Sequence, residues 1–369
     1  MHLEPFLLDR WLTAHQFATP PIRYDLAAST GPAWTFGELL GLGGNSAQQA
    51  LNALPVSYLP PNGGETLRRR IAELHHVDPD CVVVTTGASE ALSALFCVLA
   101  EPGATVALGN PMFPAMSVMA RAWGLGISTY DLPRERNFEH SVDRILAATD
   151  QRTRLAVVNS PHSPTGSVMP KREMAQLAEA LADRNVPLMV DEVYHPLYFD
   201  APAATAAGLP NTIVIGDMSK AYSLSGLRIG WLIDRDPARR ERVIEARSYF
   251  TICGSPLTEA LAAMALGEIA AVMSRLEAVA RGNLMLLDDF MDAHRDTVAW
   301  VRPVGGTTAF PWFIDGRDAR PFCEAVAREG VLVAPGDCFD APDHFRVGFG
   351  AQREGFGAAL DIVSRVLQN

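Results

Sequence analysis

The stretch GDMSKAYSLSGLRIGW (216–231) holds one lysine, Lys220, just after an extended apolar run, TIVIG (212–216). An amine nucleophile needs a fixed, desolvated place to stay reactive near neutral pH, and the end of a buried strand provides one. Eight residues later Arg228 stands between glycines in GLRIG. A Ser-Lys pair alone would fit a surface loop, but the block as a whole is far more specific. MVDEVY (189–194) ends an apolar run on Asp191, with Tyr194 three residues on. A buried carboxylate is costly unless a cation meets it, although an isolated Asp191 would also suit a helix N-cap. TTGASEAL (85–92) passes from a strand into a helix at Gly87, Ala88 and Ser89. The unpaired N–H groups of a helix start suit an anion. HFRVGFG (344–350) places Arg346 on a short strand. A guanidinium fork there matches a carboxylate as no lysine can.

Taken jointly and in order, these stretches resemble the class I/II aminotransferases, the pyridoxal-phosphate enzymes of fold type I. The resemblance spans roughly residues 55–350, and a joint match is more specific than any one motif. It implies that Lys220 holds pyridoxal 5'-phosphate as an imine and then moves the Cα proton of the substrate. It implies that Arg228, Gly87, Ala88 and Ser89 meet the cofactor phosphate, with Ser219 beside them. Asp191 would pair with the ring nitrogen, making the ring a better electron sink, and Tyr194 would lie by the ring oxygen. Phe113, in NPMFPAM (110–116), would stack on the ring; without its neighbours it would read as a core phenylalanine. Tyr58, in YLPPNGGETLR (58–68), would reach the phosphate of a neighbouring subunit in a homodimer. Its alternative is a turn tyrosine packed locally. Arg346 would grip the substrate's α-carboxylate.

Two positions depart from the family pattern. In NSPHSPTG (159–166), Ser163 replaces the asparagine that donates to the ring oxygen, leaving His162, Asn159 or a water to substitute. Asp217 stands where a phosphate-binding serine or threonine is usual. A carboxylate beside a phosphate is repulsive, so Asp217 either turns away or pairs with Arg228. WTFGEL (34–39) and GGTTAFPWF (305–313) resemble the capreomycidine-synthase branch of the fold, which works on a hydroxylated arginine. The expected reaction is amino transfer between an amino acid and a 2-oxo acid. The alternatives are a lyase or cyclase using the same first steps, or a binding module that keeps the fold without chemistry.

The elements that must position these residues follow from the apolar pattern. CVVVTTG (81–87), TVALGNP (105–111), GISTYDL (126–132), LAVVNSP (155–161), PLMVDEVY (187–194), TIVIGD (212–217) and RIGWLID (228–234) read as strands. Amphipathic stretches such as 88–100 and 170–184 separate most of them. This alternation implies an α/β fold: a mainly parallel seven-stranded sheet with helices on both faces. Such sheets bind ligands at the carboxyl ends of their strands, where the candidate chemistry falls. Residues 235–295 read as largely helical. From 298 onward, short strands and two helices suggest a smaller α/β unit. We expect a large cofactor-binding domain over 45–265 and a small domain from 1–44 and 266–369. Residues 6–12 suggest a short amphipathic helix, and the N-terminal forty residues, including 32–40, are not explained by the general family pattern.

With 369 residues, 48% hydrophobic and 20% charged, the chain can bury a large core. A net charge of −11 argues against a nucleic-acid surface. Five cysteines without a CxxC pair suggest neither a disulfide framework nor a zinc site. The start lacks a signal-peptide pattern and no apolar run reaches membrane-spanning length. A cytoplasmic enzyme is the expectation.

Overall fold

The computed structural model describes residues 4–17, 19, 21–200 and 202–368. Each of the seven extended runs overlaps a strand: β1 (Val82–Thr85), β2 (Thr105–Asn110), β3 (Gly126–Asp131), β4 (Thr153–Asn159), which starts two residues before its run, β5 (Leu188–Asp191), β6 (Thr212–Asp217) and β7 (Gly230–Asp234). They form one sheet in the order β1-β7-β6-β5-β4-β2-β3. β7 runs antiparallel to both neighbours, and every other pairing is parallel.

The apolar runs are continuous because the sheet is covered on both faces. β1, β6 and β7 are buried at every position. Successive side chains still face opposite ways. Ile213 and Ile215 enter one core with Leu95 and Phe96 of helix Gly87–Leu99, while Val214 enters the other with Leu177 and Leu181 of helix Lys171–Asp183. Each such side chain contributes roughly 1.5–3 kcal/mol by leaving water. The rigidity of these two cores fixes where the strand ends lie.

Register then aligns the functional positions. Asn159, Asp191 and Ile215 are consecutive partners at the carboxyl ends of β4, β5 and β6. Gly230 is the partner of both Asp217 and Thr85. The start of helix Gly87–Leu99 is thereby set beside the turn that carries Lys220 and Arg228.

The two ends of the chain also meet. Tyr24–Asp25 pairs in parallel with Val331–Leu332. Phe345–Gly348 lies between Thr308–Ala309 and Ala334–Pro335. Residues 235–295 form three helices, Pro237–Phe250, Pro256–Gly267 and Ile269–Ala293. Among the described residues, no single helix is long and apolar enough to cross a membrane.

The N-terminal helix is Leu7–Gln16, burying Leu8 and Trp11. The stretch 32–40, which the general family pattern does not explain, opens a helix at Phe36 that runs to Asn52. Its start is a capping box: Glu38 N–H donates to Thr35 Oγ1 (3.2 Å) and Thr35 N–H donates to Glu38 Oε2 (2.8 Å). The T-x-x-E signal for it stands in the sequence. Gly44, at φ 61°, interrupts the helix and spoils its apolar period.

Candidate active site

An open cavity of about 250 Å³ lies at the carboxyl ends of β4, β5 and β6. Of the positions singled out from the sequence, Lys220, Asp191, Tyr194, Phe113 and Ser163 line it. So do Arg228, Ser219, Ser89 and Ala88 on the side of the helix start.

That side is built by close backbone approach. A Cβ at position 230 would lie 2.3 Å from Gly87 C and 2.5 Å from Ala88 N. A Cβ at position 87, where φ is +75°, would lie 2.4 Å from Arg228 Nη2. Glycine at both positions lets the helix start, β7 and the guanidinium crowd together. Thr86 gives the helix no side-chain cap. The cavity is lined beside this uncapped helix start by Ala88, Ser89, Ser219 and Arg228. Arg228 donates there to Ser225 O (3.2 Å) and Ser219 Oγ (3.5 Å). This donor set suits a phosphate dianion.

The floor is acidic. Asp191 Oδ1 accepts from Val193 N–H (3.1 Å). Burial pushes its carboxyl up to about 7, helped by the charge of Asp217, against the Val193 bond and Lys220, which act the other way. A cation delivered to this carboxylate would repay that desolvation. Asn159 braces the floor: its Nδ2 donates to Asp191 O (3.0 Å) and its Oδ1 accepts from Ser163 N–H (2.7 Å). Of the proposed stand-ins for the missing asparagine, Asn159 lines the cavity. His162 is buried away from it against Thr165 (2.8 Å).

Asp217 turns inward to cap the lysine turn. Its Oδ1 accepts from the N–H groups of Ser219 (2.9 Å) and Lys220 (3.3 Å). It forms no ion pair with Arg228 among the described residues; it lines the cavity with its Oδ1 spent on the lysine turn. Burial raises its pKa, opposed by Lys220 and these bonds.

The opposite wall comes from a segment that sequence reasoning did not assign. Ser29 and Thr30 line the cavity. Lys220 Nζ donates to Ser29 Oγ (2.8 Å), and Tyr194 OH donates to Ser29 O (3.3 Å). Residues 25–31 carry no periodic pattern. The available hint is Asp25, whose Oδ1 accepts from Ala27 N–H (2.9 Å) and Ala28 N–H (3.0 Å) to turn the chain.

Three selected residues do not line the cavity: Gly87, which lies behind the Arg228 guanidinium, Tyr58 and Arg346. Tyr58 is 82% exposed on a loop whose far end is held where Gly64 N–H donates to Glu259 Oε2 (2.7 Å). Arg346 is 2% exposed beneath the 25–31 segment, donating Nη2 to Ala27 O (2.7 Å). Its Nε has no partner, and no carboxylate lies within ion-pair distance among the described residues. Burial lowers its pKa.

Comparison with known proteins agrees with this geometry. A family model, aminotransferase class I and II, matches residues 46–361. Capreomycidine synthase of Streptomyces vinaceus is 33% identical over 365 residues, covering 98% of this chain and 93% of the relative. Arginine–pyruvate transaminase of Pseudomonas aeruginosa is 30% identical over 322 residues, covering 82% and 80%. Among solved structures, a PLP-dependent aminotransferase from Streptococcus suis superposes with a TM-score of 0.92 at 24% identity, covering 100% of this chain and 98% of that one. A PLP-dependent cyclase, OrfR, superposes with 0.89 at 28%, with the same coverage. The fold is that of the pyridoxal-phosphate aminotransferases and the cofactor is pyridoxal 5'-phosphate. With a cavity that offers an amine, a buried carboxylate and an anion cradle at the strand ends, and a family match over most of its length, the chain belongs to the class I and II aminotransferase family.

Proposed function

We propose that the chain moves an amino group from an α-amino acid to a 2-oxo acid, using Lys220 as its base. The observation that carries this reading is the placement of Lys220 Nζ in one cavity with Asp191 and the Arg228 cradle. Bound there, pyridoxal phosphate would withdraw electrons from the substrate's Cα and make its proton acidic. Lys220 anchors the cofactor and, once displaced by the substrate amine, takes and returns that proton. Arg228, Ser89, Ser219 and the N–H groups from Gly87 onward hold the phosphate. Asp191 keeps the proton on the ring nitrogen, Phe113 covers the ring, and Tyr194, Ser163 and Asn159 border it. Arg346 is a buried cation without a carboxylate partner, and the substrate's α-carboxylate supplies one. The substrates are small molecules, an amino acid and a 2-oxo acid.

We further propose a homodimer in which Tyr58 completes the partner's phosphate site. Its exposure on a braced loop supports this, as do the exposed Tyr249, Phe250 and Ile252 around the end of helix Pro237–Phe250. Mixing Tyr58→Phe and Lys220→Ala subunits should restore part of the activity, because one site of each hybrid escapes both changes. Hybrids that form without recovery would count against the shared site.

A second reading has its own support. The family model begins at residue 46, yet Ser29 and Thr30 line the cavity. The match to capreomycidine synthase covers 98% of the chain and so includes them. Under this reading the same proton removal is followed by loss of a side-chain group and ring closure. Product analysis decides. Amino transfer gives a keto acid and an amino group recovered on an added 2-oxo acid. Ammonia or a cyclic amino acid, with no amino group on the acceptor, would overturn it.

A further inference from the structure

We infer that Ser29 is a positioning residue for Lys220, holding the lysine's amine where it exchanges a proton with substrate; this rests on the proposed role of Lys220 as base. A lysine amine sits on a flexible four-carbon stem with roughly 2 kcal/mol of rotamer entropy. A base that swings freely presents its lone pair to the reacting carbon only part of the time. Here Nζ donates to Ser29 Oγ at 2.8 Å. Spending one N–H on a fixed acceptor restricts the last torsions and keeps the amine at one place on the cavity that both residues line.

The hydroxyl is a fixed acceptor because its backbone is held from several sides. Tyr194 OH donates to Ser29 O at 3.3 Å, Arg346 Nη2 to Ala27 O at 2.7 Å, and Gly348 N–H to Leu26 O at 2.6 Å. Close packing adds to this. A Cβ at position 31 would lie 1.9 Å from Ser223 Oγ, and one at 348 would lie 1.8 Å from Ala28 O. The segment is thus clamped between the lysine turn and the strand of Arg346. One stretch outside the general family pattern connects the buried Arg346, the tyrosine and the base.

The test uses the pyridoxal-phosphate holoenzyme with α-deuterated L-arginine, L-alanine and L-aspartate, reading wash-out of deuterium into water. In that step the Cα–D bond breaks, the deuteron passes to Lys220 Nζ and exchanges, and a solvent proton returns to Cα. Ser29→Ala should slow wash-out by about 3- to 10-fold, the worth of one hydrogen bond, with KM and cofactor retention unchanged. Ser29→Thr, which keeps the hydroxyl, should recover most of the rate. A second readout needs no turnover. In the cofactor-free chain, acetic anhydride should label Lys220 several-fold faster in Ser29→Ala, relative to Lys171, the other lysine of the sequence. Wild-type rates of both wash-out and labelling in Ser29→Ala would overturn the inference. So would equal losses in both variants with weakened cofactor binding, which would make Ser29 a packing residue. No wash-out from wild type with any of the three probes would overturn the Lys220 reading, and this inference with it.

Discussion

The two walls of the cavity are made in different ways. The sheet wall sets Asn159, Asp191 and the lysine turn at the ends of strands whose side chains fill two cores, so its geometry is inherited from burial. The wall formed by 25–31 has almost no regular structure. Two-residue pairings and side-chain bonds to backbone carbonyls hold it, among them Arg346 to Ala27 O and Tyr194 to Ser29 O. Chemistry on the first wall is stiff. The second wall is stabilised by the residues it serves, so a change in one is felt by the other.

Replacing Arg346 sharpens this contrast most. Two charge-assisted bonds to a carboxylate, each worth roughly 1.5–3 kcal/mol, set the loss in kcat/KM for Arg346→Ala at about a hundred- to ten-thousand-fold. Arg346→Lys should recover little, lacking the fork. Cofactor affinity should hardly change, whereas Arg228→Ala should loosen the cofactor first. Near-normal kcat/KM in Arg346→Ala would leave the 25–31 wall and the arginine beneath it without a substrate role.

Gly230→Ala probes the sheet wall. The added methyl would meet backbone atoms of residues 87 and 88, which cannot step aside as a side chain could. Overpacking typically costs 1–3 kcal/mol. We expect a lower Tm and weaker cofactor binding together. Loss of one without the other would uncouple the cradle from the packing of helix and strand.

These differences explain what the sequence could reveal. All seven strands and the turn of Lys220 were legible, because a buried strand must be apolar and its end is where a polar residue becomes affordable. Asp191 and Lys220 stand out against such runs. Ser29 did not, because the bonds that fix it and its neighbour Ala27 come from residues 165 to 319 positions away, and no local period records them. Asp217 was visible as a departure, but its role as a cap on the lysine turn needed the backbone. The helix at Phe36–Asn52 was missed although Thr35 and Glu38 announce it, since Gly44 breaks its period.

Asp191 tests the sheet wall through pH. Its folded pKa, about 7, lies above the ordinary 3.8. The stability tied to its protonated form is fully present below about pH 4 and is lost as pH rises through about 7. Depressed buried histidines, such as His75 at about 3 and His195 at about 4, act oppositely in part of this window. The informative quantity is therefore the difference between variants. Without cofactor, Asp191→Asn should gain on wild type by up to about 1.4 kcal/mol per pH unit between pH 4 and 7. A difference independent of pH would mean that Asp191 is not desolvated.

The smallest effect concerns the helix Phe36–Asn52. Thr35→Ala removes the capping box and should cost about 1 kcal/mol, read as a modest fall in Tm. Wild-type kcat in this variant would show that the 25–31 segment is held by its own contacts and not by the helix that follows it.

The central claim is that Lys220 carries the cofactor. Borohydride reduction of the holoenzyme, followed by peptide mapping, tests it directly, because Lys171, exposed at the start of its helix, is the alternative side-chain amine. We expect the reduced pyridoxyl label on the peptide containing Lys220 and none on that containing Lys171. A label on Lys171, or no label on a chain that retains the cofactor, would contradict the account.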